Sequence, residues 1–297
     1  MLKNNRKAPE SCHHDFENKL VVITGATSGI GYRVTRKYAS KGANLLCINR
    51  NKEKSEALKQ EIEREFEVSC EYFLADLSSL KDTHEVAEKL INIDRPIDVL
   101  IHNAGIYLTR QELTPDGIEK VFMVHHLSSF IINYKLRAKL KAQEKSRIIL
   151  VNSEGHRFAA WGLRLDDLNW EKRRYSGLRS YGSAKLAQLL SMLIFAKYFK
   201  DSGVTINAMH PGAVKSNTGK DNGSLYKWYK KNILDRTLKP ADISAEAIYY
   251  LGVSKEIEKI NGKFFNLTTL EDPTPPAQDL DIAKLLWEIS IKMGKLD

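Results

Sequence analysis

The chain has 297 residues, of which 42% are hydrophobic and 28% are charged, and its formal net charge is +9 at pH 7. This length allows one large α/β domain or two small ones, and the composition is typical of a globular protein. No apolar run approaches the ~18 residues that a membrane span needs, and the N-terminus lacks the apolar core of a signal peptide. We therefore expect a cytoplasmic protein. The excess of basic residues comes without a nucleic-acid-binding motif, so we expect no nucleic-acid partner.

The cysteines are an odd set of three without metal-ligand spacing, namely Cys12, Cys47 and Cys70. This pattern favours a reducing compartment and no metal site. Cys12 is followed by two histidines within residues 1–18, which we interpret as a polar, disordered N-terminal extension. Residues 19–297 contain no internal repeat and no linker, so we predict a single domain.

A β-branched apolar run at residues 19–24 predicts a buried parallel strand, and a glycine-rich turn and a helical pattern follow it. Such a turn places backbone N–H groups and a helix N-terminus against a pyrophosphate. A tight strand–helix connection without a ligand would use similar residues. The candidate cofactor-binding residues of this turn are Gly25, Thr27, Ser28, Gly29 and Ile30.

The second predicted strand, residues 44–48, is followed by Arg50 and by no acidic residue. An acidic residue near this point grips the ribose of NAD, whereas an arginine suits the 2′-phosphate of NADP. The sequence therefore favours NADP(H) over NAD(H), although an exposed arginine opening the next helix would look the same. The third strand ends before Asp76 and Leu77, where Asp76 could bind an adenine amino group or cap the following helix.

The fourth predicted strand, residues 97–101, leads to Asn103, Ala104 and Gly105. The alternation of strands and helices predicts an α/β, Rossmann-type doubly wound parallel sheet of about seven strands with helices on both faces. Ligands of such sheets bind at the carboxyl ends of the strands, and every motif above lies at such an end. We therefore add Asn103, Ala104 and Gly105 to the candidate cofactor-binding residues.

Ser153 stands at the tip of the fifth predicted strand, where its hydroxyl can hold a substrate oxygen. Tyr181 and Lys185 follow on a predicted helix, residues 180–197, and their spacing of four places them on one face. An ammonium one turn from a phenol favours the phenolate, which predicts a lowered pKa for Tyr181 and suits proton exchange with a ketone or alcohol. The alternative is a surface pair on an amphipathic helix.

Two longer connections border the predicted pocket. Residues 155–179 carry Trp161 and Trp170 and are interpreted as an insertion beside it. Residues 213–241 are interpreted as a lid over the substrate with a short amphipathic helix, and contact with a membrane surface is the alternative for their aromatic and basic residues.

Together these motifs resemble the short-chain dehydrogenase/reductase family over about residues 19–216. The matches are Thr24-Gly25-x-x-x-Gly29-x-Gly31, Asp76-Leu77, Asn103-Ala104-Gly105, Ser153, Tyr181-x-x-x-Lys185 and Pro211-Gly212. A narrower similarity to retinol-dehydrogenase-like members rests on Asn49-Arg50-Asn51, Thr114-x-Asp116-Gly117, Ser153-x-x-His156 and Ala283-x-x-Leu286-Trp287-Glu288-x-Ser290.

The resemblance implies a nicotinamide cofactor and hydride transfer at the carbonyl or alcohol carbon of a small molecule, which we expect to be lipophilic. It implies that Ser153 holds the substrate oxygen, that Tyr181 donates the proton and that Lys185 binds the nicotinamide ribose. It adds Pro211 and Gly212 to the cofactor-binding residues. Two alternatives stay open: an NADP(H)-binding sensor or scaffold with little catalysis, and a C=C double-bond reductase.

One departure from the family pattern concerns His125, which stands where relatives have an asparagine that supports the active-site lysine through a water. An imidazole can still donate or accept a hydrogen bond, and it adds a group that titrates near neutrality. We therefore include His125 among the candidate catalytic residues. Relatives also often pair through the Tyr181 helix and the helix before it, but Lys135, Arg137 and neighbouring lysines weaken that expectation of a homo-oligomer here.

Overall fold

The computed structural model describes residues 9–214 and 240–296. The strands in these ranges are β1 (Leu20–Thr24), β2 (Asn44–Asn49), β3 (Cys70–Leu74), β4 (Val99–His102), β5 (Ser146–Val151), β6 (Val204–His210), β7 (Phe264–Asn266) and β8 (Thr269–Leu270). The helices are α1 (Gly29–Ala39), α2 (Lys52–Phe66), α3 (Leu80–Ile91), α4 (Lys120–Phe122), α5 (Ser128–Lys141), α6 (Gly177–Tyr198), α7 (Asp242–Val253) and α8 (Leu280–Met293).

The strands form one sheet in the order β3-β2-β1-β4-β5-β6-β7-β8. Strands β1 to β7 pair in parallel, and β8 turns back antiparallel on β7. The predicted doubly wound parallel sheet is confirmed, with seven parallel strands and one added edge strand. That edge strand escaped prediction because two residues are too few to show a period.

Two apolar layers cover the sheet, one on each face. In β1 every residue is buried, and Val22 packs in the layer of α3, α5, α6 and α8, whereas Val21 and Ile23 pack with α1, α2 and α7. A strand covered on both faces is apolar throughout instead of alternating, which explains the continuous run that the sequence shows. The sheet order reverses between β1 and β4, and this places a crevice at their carboxyl ends.

The helical segment that precedes the site is not regular throughout. The helix α4 begins at Lys120 and is joined to α5 by a π-helical turn, Met123–Leu127. The turn contains His125 and His126. A π-helical turn inserts one extra residue per turn, and it leaves no signature in an apolar sequence pattern.

The described part of the N-terminal extension is ordered, so our interpretation of it as a disordered tail was wrong for residues 9–18. Cys12 is buried, the hydroxyl of Tyr249 donates to the carbonyl of His14 at 2.5 Å, and the ring of Phe16 lies edge-on to Tyr38 at 5.9 Å. These apolar side chains seal the side of the α1–α7 layer. Residues 1–8, and all but the ends of the expected lid at 213–241, lie outside the described residues.

Within residues 9–214 and 240–296, no helix combines the length and apolar character that crossing a bilayer requires. The same ranges contain no group of three or more histidine, cysteine, aspartate or glutamate side chains arranged to hold a metal ion.

Candidate active site

The glycine-rich turn between β1 and α1 has a backbone that only glycine accommodates easily. Gly25 and Gly29 have φ of 71° and 59°, in the left-handed region. A Cβ atom on Gly31 would lie 2.1 Å from the carbonyl oxygen of Gly25. The turn is therefore compact enough to bring backbone N–H groups close to a ligand.

Side chains from neighbouring strands hold this turn in place. The amide of Asn103 donates to the carbonyls of Thr24 and Gly25 at 3.0 and 3.1 Å. The Ala104 N–H donates to the Thr24 hydroxyl at 2.9 Å, and the Ala26 N–H donates to Asn49 Oδ1 at 2.8 Å. Asn103 and Ala104, which follow β4, thus hold the glycine-rich turn in place. Thr24 and Asn49 were not among the predicted site residues, although both stand in the motifs that carry the family resemblance.

The N-terminus of α1 suits an anionic ligand. Its N-cap residue, Ser28, has an extended backbone and makes no side-chain capping bond, and the first turn contains no acidic residue. The first N–H groups of a helix carry partial positive charge, and phosphate oxygens are good acceptors for them. Thr27, Ser28, Gly29 and Ile30 are therefore placed as a pyrophosphate site requires, and the chain's own residues fit a dinucleotide here.

The Gly25 N–H donates to the carbonyl of Ile48 at 2.9 Å, so the end of β2 lies beside the glycine-rich turn. Arg50 follows β2 at this point. Its side chain is exposed, and it lies one residue before the N-cap of α2. Asn51 is the N-cap of α2 and accepts a hydrogen bond from the Lys54 N–H at 2.8 Å. The structure therefore separates Arg50 from helix capping.

Asp76 does not cap α3, so that alternative was wrong. The N-cap is Ser79, which accepts from the Asp82 N–H at 3.1 Å. Asp76 instead accepts from the Ser78 N–H and hydroxyl at 2.9 and 2.7 Å, and this bends the chain after β3. Leu77 beside it is buried.

Pro211 and Gly212 follow β6 at the same edge of the sheet. The Ser244 hydroxyl donates to the Pro211 carbonyl at 2.6 Å and ties this turn to α7. Gly212 has φ of 83°, in the left-handed region that disfavours side chains. Both residues lie at the strand end where the family pattern expects cofactor contacts.

Ser153 and Tyr181 meet at Gly155. A Cβ atom on Gly155 would lie 2.5 Å from Cε1 of Tyr181 and 3.3 Å from Oγ of Ser153. The Ser153 hydroxyl accepts from the Gly155 N–H at 3.0 Å. Because Gly155 has no side chain, the Ser153 hydroxyl and the Tyr181 ring can both lie beside it.

Lys185 lies one turn further along α6 and is 3% exposed. Its Nζ donates to the Val151 carbonyl at 2.6 Å and stands 5.9 Å from the centre of the Tyr181 ring. Burial lowers the pKa of Lys185 to about 7. The alternative interpretation as a surface pair on an amphipathic helix is therefore wrong, because Lys185 is buried.

The pKa of Tyr181 differs from its prediction. Burial raises it, and the hydrogen bonding with Ser153 offsets only part of that effect. The expected lowering by the Lys185 ammonium is absent because the ammonium bonds to the backbone of β5 instead of lying against the phenol. In this state Tyr181 is a neutral proton donor at neutral pH.

His125 lies in the π-helical turn, directly behind Tyr181. The two rings are 5.2 Å apart and perpendicular, and the Nε2 atom is 2.7 Å from the carbonyl oxygen of Ile106. Burial, and then the charge of Lys185, lower the pKa of His125 well below its ordinary value. The expectation that His125 titrates near neutrality was therefore wrong. Gly105 permits this packing, since a Cβ atom there would lie 2.4 Å from the imidazole.

Two further buried side chains connect these elements and were not predicted. Asn152 donates to the Lys185 carbonyl at 3.0 Å and to Gln188 Oε1 at 2.9 Å. Gln188 in turn donates to the His125 carbonyl at 3.0 Å. This chain of hydrogen bonds sets the relative positions of β5, α6 and the π-helical turn.

A phenol and a hydroxyl at the carboxyl edge of a doubly wound sheet, with a buried lysine beneath them, can bind a carbonyl oxygen and supply its proton. The phosphate-binding turn of the same crevice suits a dinucleotide, which would bring the hydride that such a reduction also needs. Fold and site together define an NAD(P)-dependent oxidoreductase.

Comparisons with known proteins agree. The short chain dehydrogenase family model matches residues 19–162. Human retinol dehydrogenase 13 is 34% identical over 286 residues, which cover 94% of this chain and 85% of that protein. WW domain-containing oxidoreductase of Danio rerio is 31% identical, over 97% of this chain and 72% of its own length. The chain belongs to the short-chain dehydrogenase/reductase family and is retinol-dehydrogenase-like within it.

Solved structures show the same fold. An uncharacterised protein from Mycobacterium paratuberculosis superposes with a TM-score of 0.75 at 27% identity, over 95% of both chains. A short-chain dehydrogenase from Sphingobium yanoikuyae in complex with NADPH superposes with a TM-score of 0.63 at 22% identity, over 78% of this chain and 82% of that one.

Proposed function

We propose that this protein is an NADP(H)-dependent dehydrogenase or reductase that acts on the carbonyl or alcohol group of a lipophilic small molecule. The observation that carries the proposal is the meeting of the Ser153 hydroxyl and the Tyr181 phenol at Gly155, beside buried Lys185. The Ser153 hydroxyl also caps the short helix Glu154–Ala159 through the Gly155 N–H, and this task does not require a phenol beside it.

Each residue of the site has a distinct task in the proposed reaction. Ser153 holds the substrate oxygen, and Tyr181 gives its proton to that oxygen in reduction or takes it back in oxidation. The bound nicotinamide supplies or accepts the hydride. The family resemblance implies that Lys185 binds the nicotinamide ribose, for which its Nζ would leave the Val151 carbonyl. A charged Lys185 near the phenol would then favour the phenolate.

A lipophilic substrate is supported by the surroundings of Tyr181. Ile106, Leu108, Val121 and Ala184 form an apolar cluster with the Tyr181 ring. The Tyr107 ring also lies 6.0 Å from that of Tyr181. Leu108, Val121 and Ala184 are buried, so Ile106 and Tyr107 are the members that a substrate could contact. Apolar surface beside the proton donor favours substrates with a hydrocarbon body over sugars. The human relative named retinol dehydrogenase 13 is consistent with such a substrate class.

NADP(H) is supported by Arg50 and by the absence of an acidic residue at the end of β2. Structural neighbours of this fold include complexes with NADP, such as that of the Burkholderia cenocepacia short chain dehydrogenase. We expect Arg50→Ala to reduce the preference for NADPH over NADH about tenfold, since a charge-assisted phosphate contact is lost. Arg64→Ala, on the exposed end of α2, serves as the control, and a wild-type preference for NADH would contradict the proposal.

The decisive experiment replaces the proton donor. Tyr181→Phe should lower kcat by about 10²- to 10⁴-fold while the Kd for NADPH stays near its wild-type value. Tyr198→Phe at the far end of α6 is the matched control. A panel of lipophilic ketones, aldehydes, alcohols and α,β-unsaturated carbonyl compounds would also reveal a C=C reductase. Substantial turnover by Tyr181→Phe would refute the assigned role.

A second candidate function is NADP(H) binding as a sensor or scaffold with little catalysis. His125 favours it, because the buried imidazole takes the place of the asparagine that relatives use near the lysine. Tight NADPH binding without turnover of any compound in the panel would support this candidate. The intact pairing of Ser153 with Tyr181 argues for catalysis.

We also propose a reducing compartment such as the cytoplasm. Cys12, Cys47 and Cys70 are all buried and unpaired in the structure, as expected where thiols stay reduced. Microscopy of the tagged full chain tests the compartment, and a signal confined to an oxidising one would contradict it.

A further inference from the structure

The border of the active site carries an exposed apolar patch formed by Phe158, Trp161 and Leu178. Their exposed fractions are 54%, 99% and 50%. Phe158 lies against Gly182 of α6, with its Cβ 2.9 Å from where a side chain at Gly182 would begin. Leu178 lies one helical turn before Gly182 and Trp161 three residues after Phe158, so the patch adjoins Tyr181.

Basic side chains surround the apolar patch. The segment from Phe158 to Tyr181 contains five basic and three acidic residues. The basic ones are Arg164, Lys172, Arg173, Arg174 and Arg179.

Part of this positive charge has no ion-pair partner within residues 9–214 and 240–296. Arg164 and Lys172 share Asp166, and Arg173 pairs with buried Asp167. Arg174 and Arg179 are exposed and form no ion pair with any residue that the structure describes. The surface therefore combines protruding apolar groups with cations available to an external anion.

We propose that this surface docks the protein on an anionic phospholipid bilayer. An exposed tryptophan favours the interface between water and lipid, where its ring is apolar and its N–H stays hydrated. Cations beside it gain from the negative potential of anionic headgroups, and this charge complementarity favours an anionic bilayer as the occupant. The patch has the composition of a membrane-surface element although no described helix crosses a bilayer.

Docking through this patch would also affect how a substrate reaches the site. This consequence, unlike the lipid contact, rests on the proposed function. Phe158 and Leu178 border the α6 turn that carries Tyr181. A lipophilic substrate partitions into the bilayer, so docking here would let it reach the site without crossing water. The lipid contact itself does not depend on which reaction the site performs.

The test is co-sedimentation of the full chain with vesicles of phosphatidylcholine alone or mixed with phosphatidylserine. We expect binding to the anionic vesicles that weakens with salt. Trp161→Ser should weaken it about tenfold, and Arg174→Gln and Arg179→Gln about fivefold each. Leu285→Ser, at a residue of α8 that is 55% exposed, is the matched control and should bind as the wild type does.

The activity of Trp161→Ser on a water-soluble ketone should equal that of the wild type, because this substrate does not pass through a bilayer. This measurement tests the proposed function separately from the docking proposal. No binding of the wild type to anionic vesicles would overturn the proposal. Equal binding to both vesicle types, equal binding by Trp161→Ser, or equal loss in Leu285→Ser would overturn it too. So would self-association that Trp161→Ser abolishes while vesicle binding is absent.

Discussion

Lys185 is a buried cation whose burial makes stability depend on pH. Its pKa is lowered to about 7 in the folded protein, whereas a lysine in an unfolded chain titrates near about 10.4. Between these pH values the unfolded chain binds the proton that the folded protein has lost. Folding is therefore opposed by Lys185 below this range and progressively less opposed as pH rises through it.

We expect the free energy of unfolding of the cofactor-free wild type to rise, relative to Lys185→Met, by up to about 1.4 kcal/mol per pH unit between about pH 7 and pH 10. Urea unfolding of both proteins across this range measures the difference, which cancels the contribution of other titrating groups. Lys197→Met, at an exposed residue of the same helix, should follow the wild type. Parallel curves for the wild type and Lys185→Met would contradict the buried state.

At His125 the structure predicts a neutral imidazole throughout the working pH range, because burial and the charge of Lys185 lower its pKa well below normal. Replacement by asparagine, His125→Asn, should therefore change kcat without removing any inflection between about pH 5.5 and 7.5 from the profile of kcat/KM. His84→Asn, on α3, is a control far from the ring of Tyr181. An inflection that disappears in His125→Asn alone would show that this imidazole titrates during turnover.

At the scale of elements, the C-terminal helix supports the π-helical turn. His126 Nε2 lies 2.8 Å from the hydroxyl of Ser290 in α8, and both residues are fully buried. Since the Ser290 hydroxyl donates to the Leu286 carbonyl at 2.7 Å, its oxygen accepts a hydrogen bond from the Nε2–H of His126. The neighbouring residue of the same turn, His125, packs on Tyr181. The family-like ending of the sequence thus connects to the site through one hydrogen bond.

Ser290→Ala should destabilise the protein by about 1–3 kcal/mol, because it leaves a buried imidazole nitrogen without a partner. Urea denaturation gives the value. Ser191→Ala is the matched control, since the Ser191 hydroxyl bonds only to the helix carbonyl of Gln188, and we expect a change below about 0.5 kcal/mol there. A loss at Ser290 no greater than at Ser191 would contradict the supporting role.

For the whole molecule, α8 covers the face through which relatives often pair. The ring of Trp287 lies 4.8 Å from that of Phe130 in α5 and 4.7 Å from that of Phe195 in α6. An apolar face already buried within one chain cannot also bury the same area against a second copy. We therefore expect no homo-oligomer through this face.

We expect the purified chain to sediment as a monomer at micromolar concentration, and a truncation before Leu280 to associate because it uncovers Phe130 and Phe195. Analytical ultracentrifugation of both distinguishes the two states. Trp287→Ala, which thins the cover without removing α8, should lie between them. A stable dimer of the intact chain whose interface includes α5 and α6 would contradict the expectation.

Local pattern was enough to identify the fold and the order of its motifs. Strands covered on both faces must be apolar throughout, phosphate-binding turns need glycine, and a phenol and an ammonium four residues apart share a helix face. These requirements act within a few residues, so the parallel sheet and the approximate positions of Ser153, Tyr181 and Lys185 could be read from the chain alone.

Only the tertiary structure decided what surrounds those groups. The lowered pKa of Lys185, the raised pKa of Tyr181 and the neutral His125 all follow from burial, which depends on segments far apart in sequence. The π-helical turn and the ordered residues 9–18 likewise depend on packing partners that local pattern does not reveal. The hydrogen bonds and pKa values of these side chains depend on residues that are distant in sequence. They become defined only when the folded sheet brings those residues together.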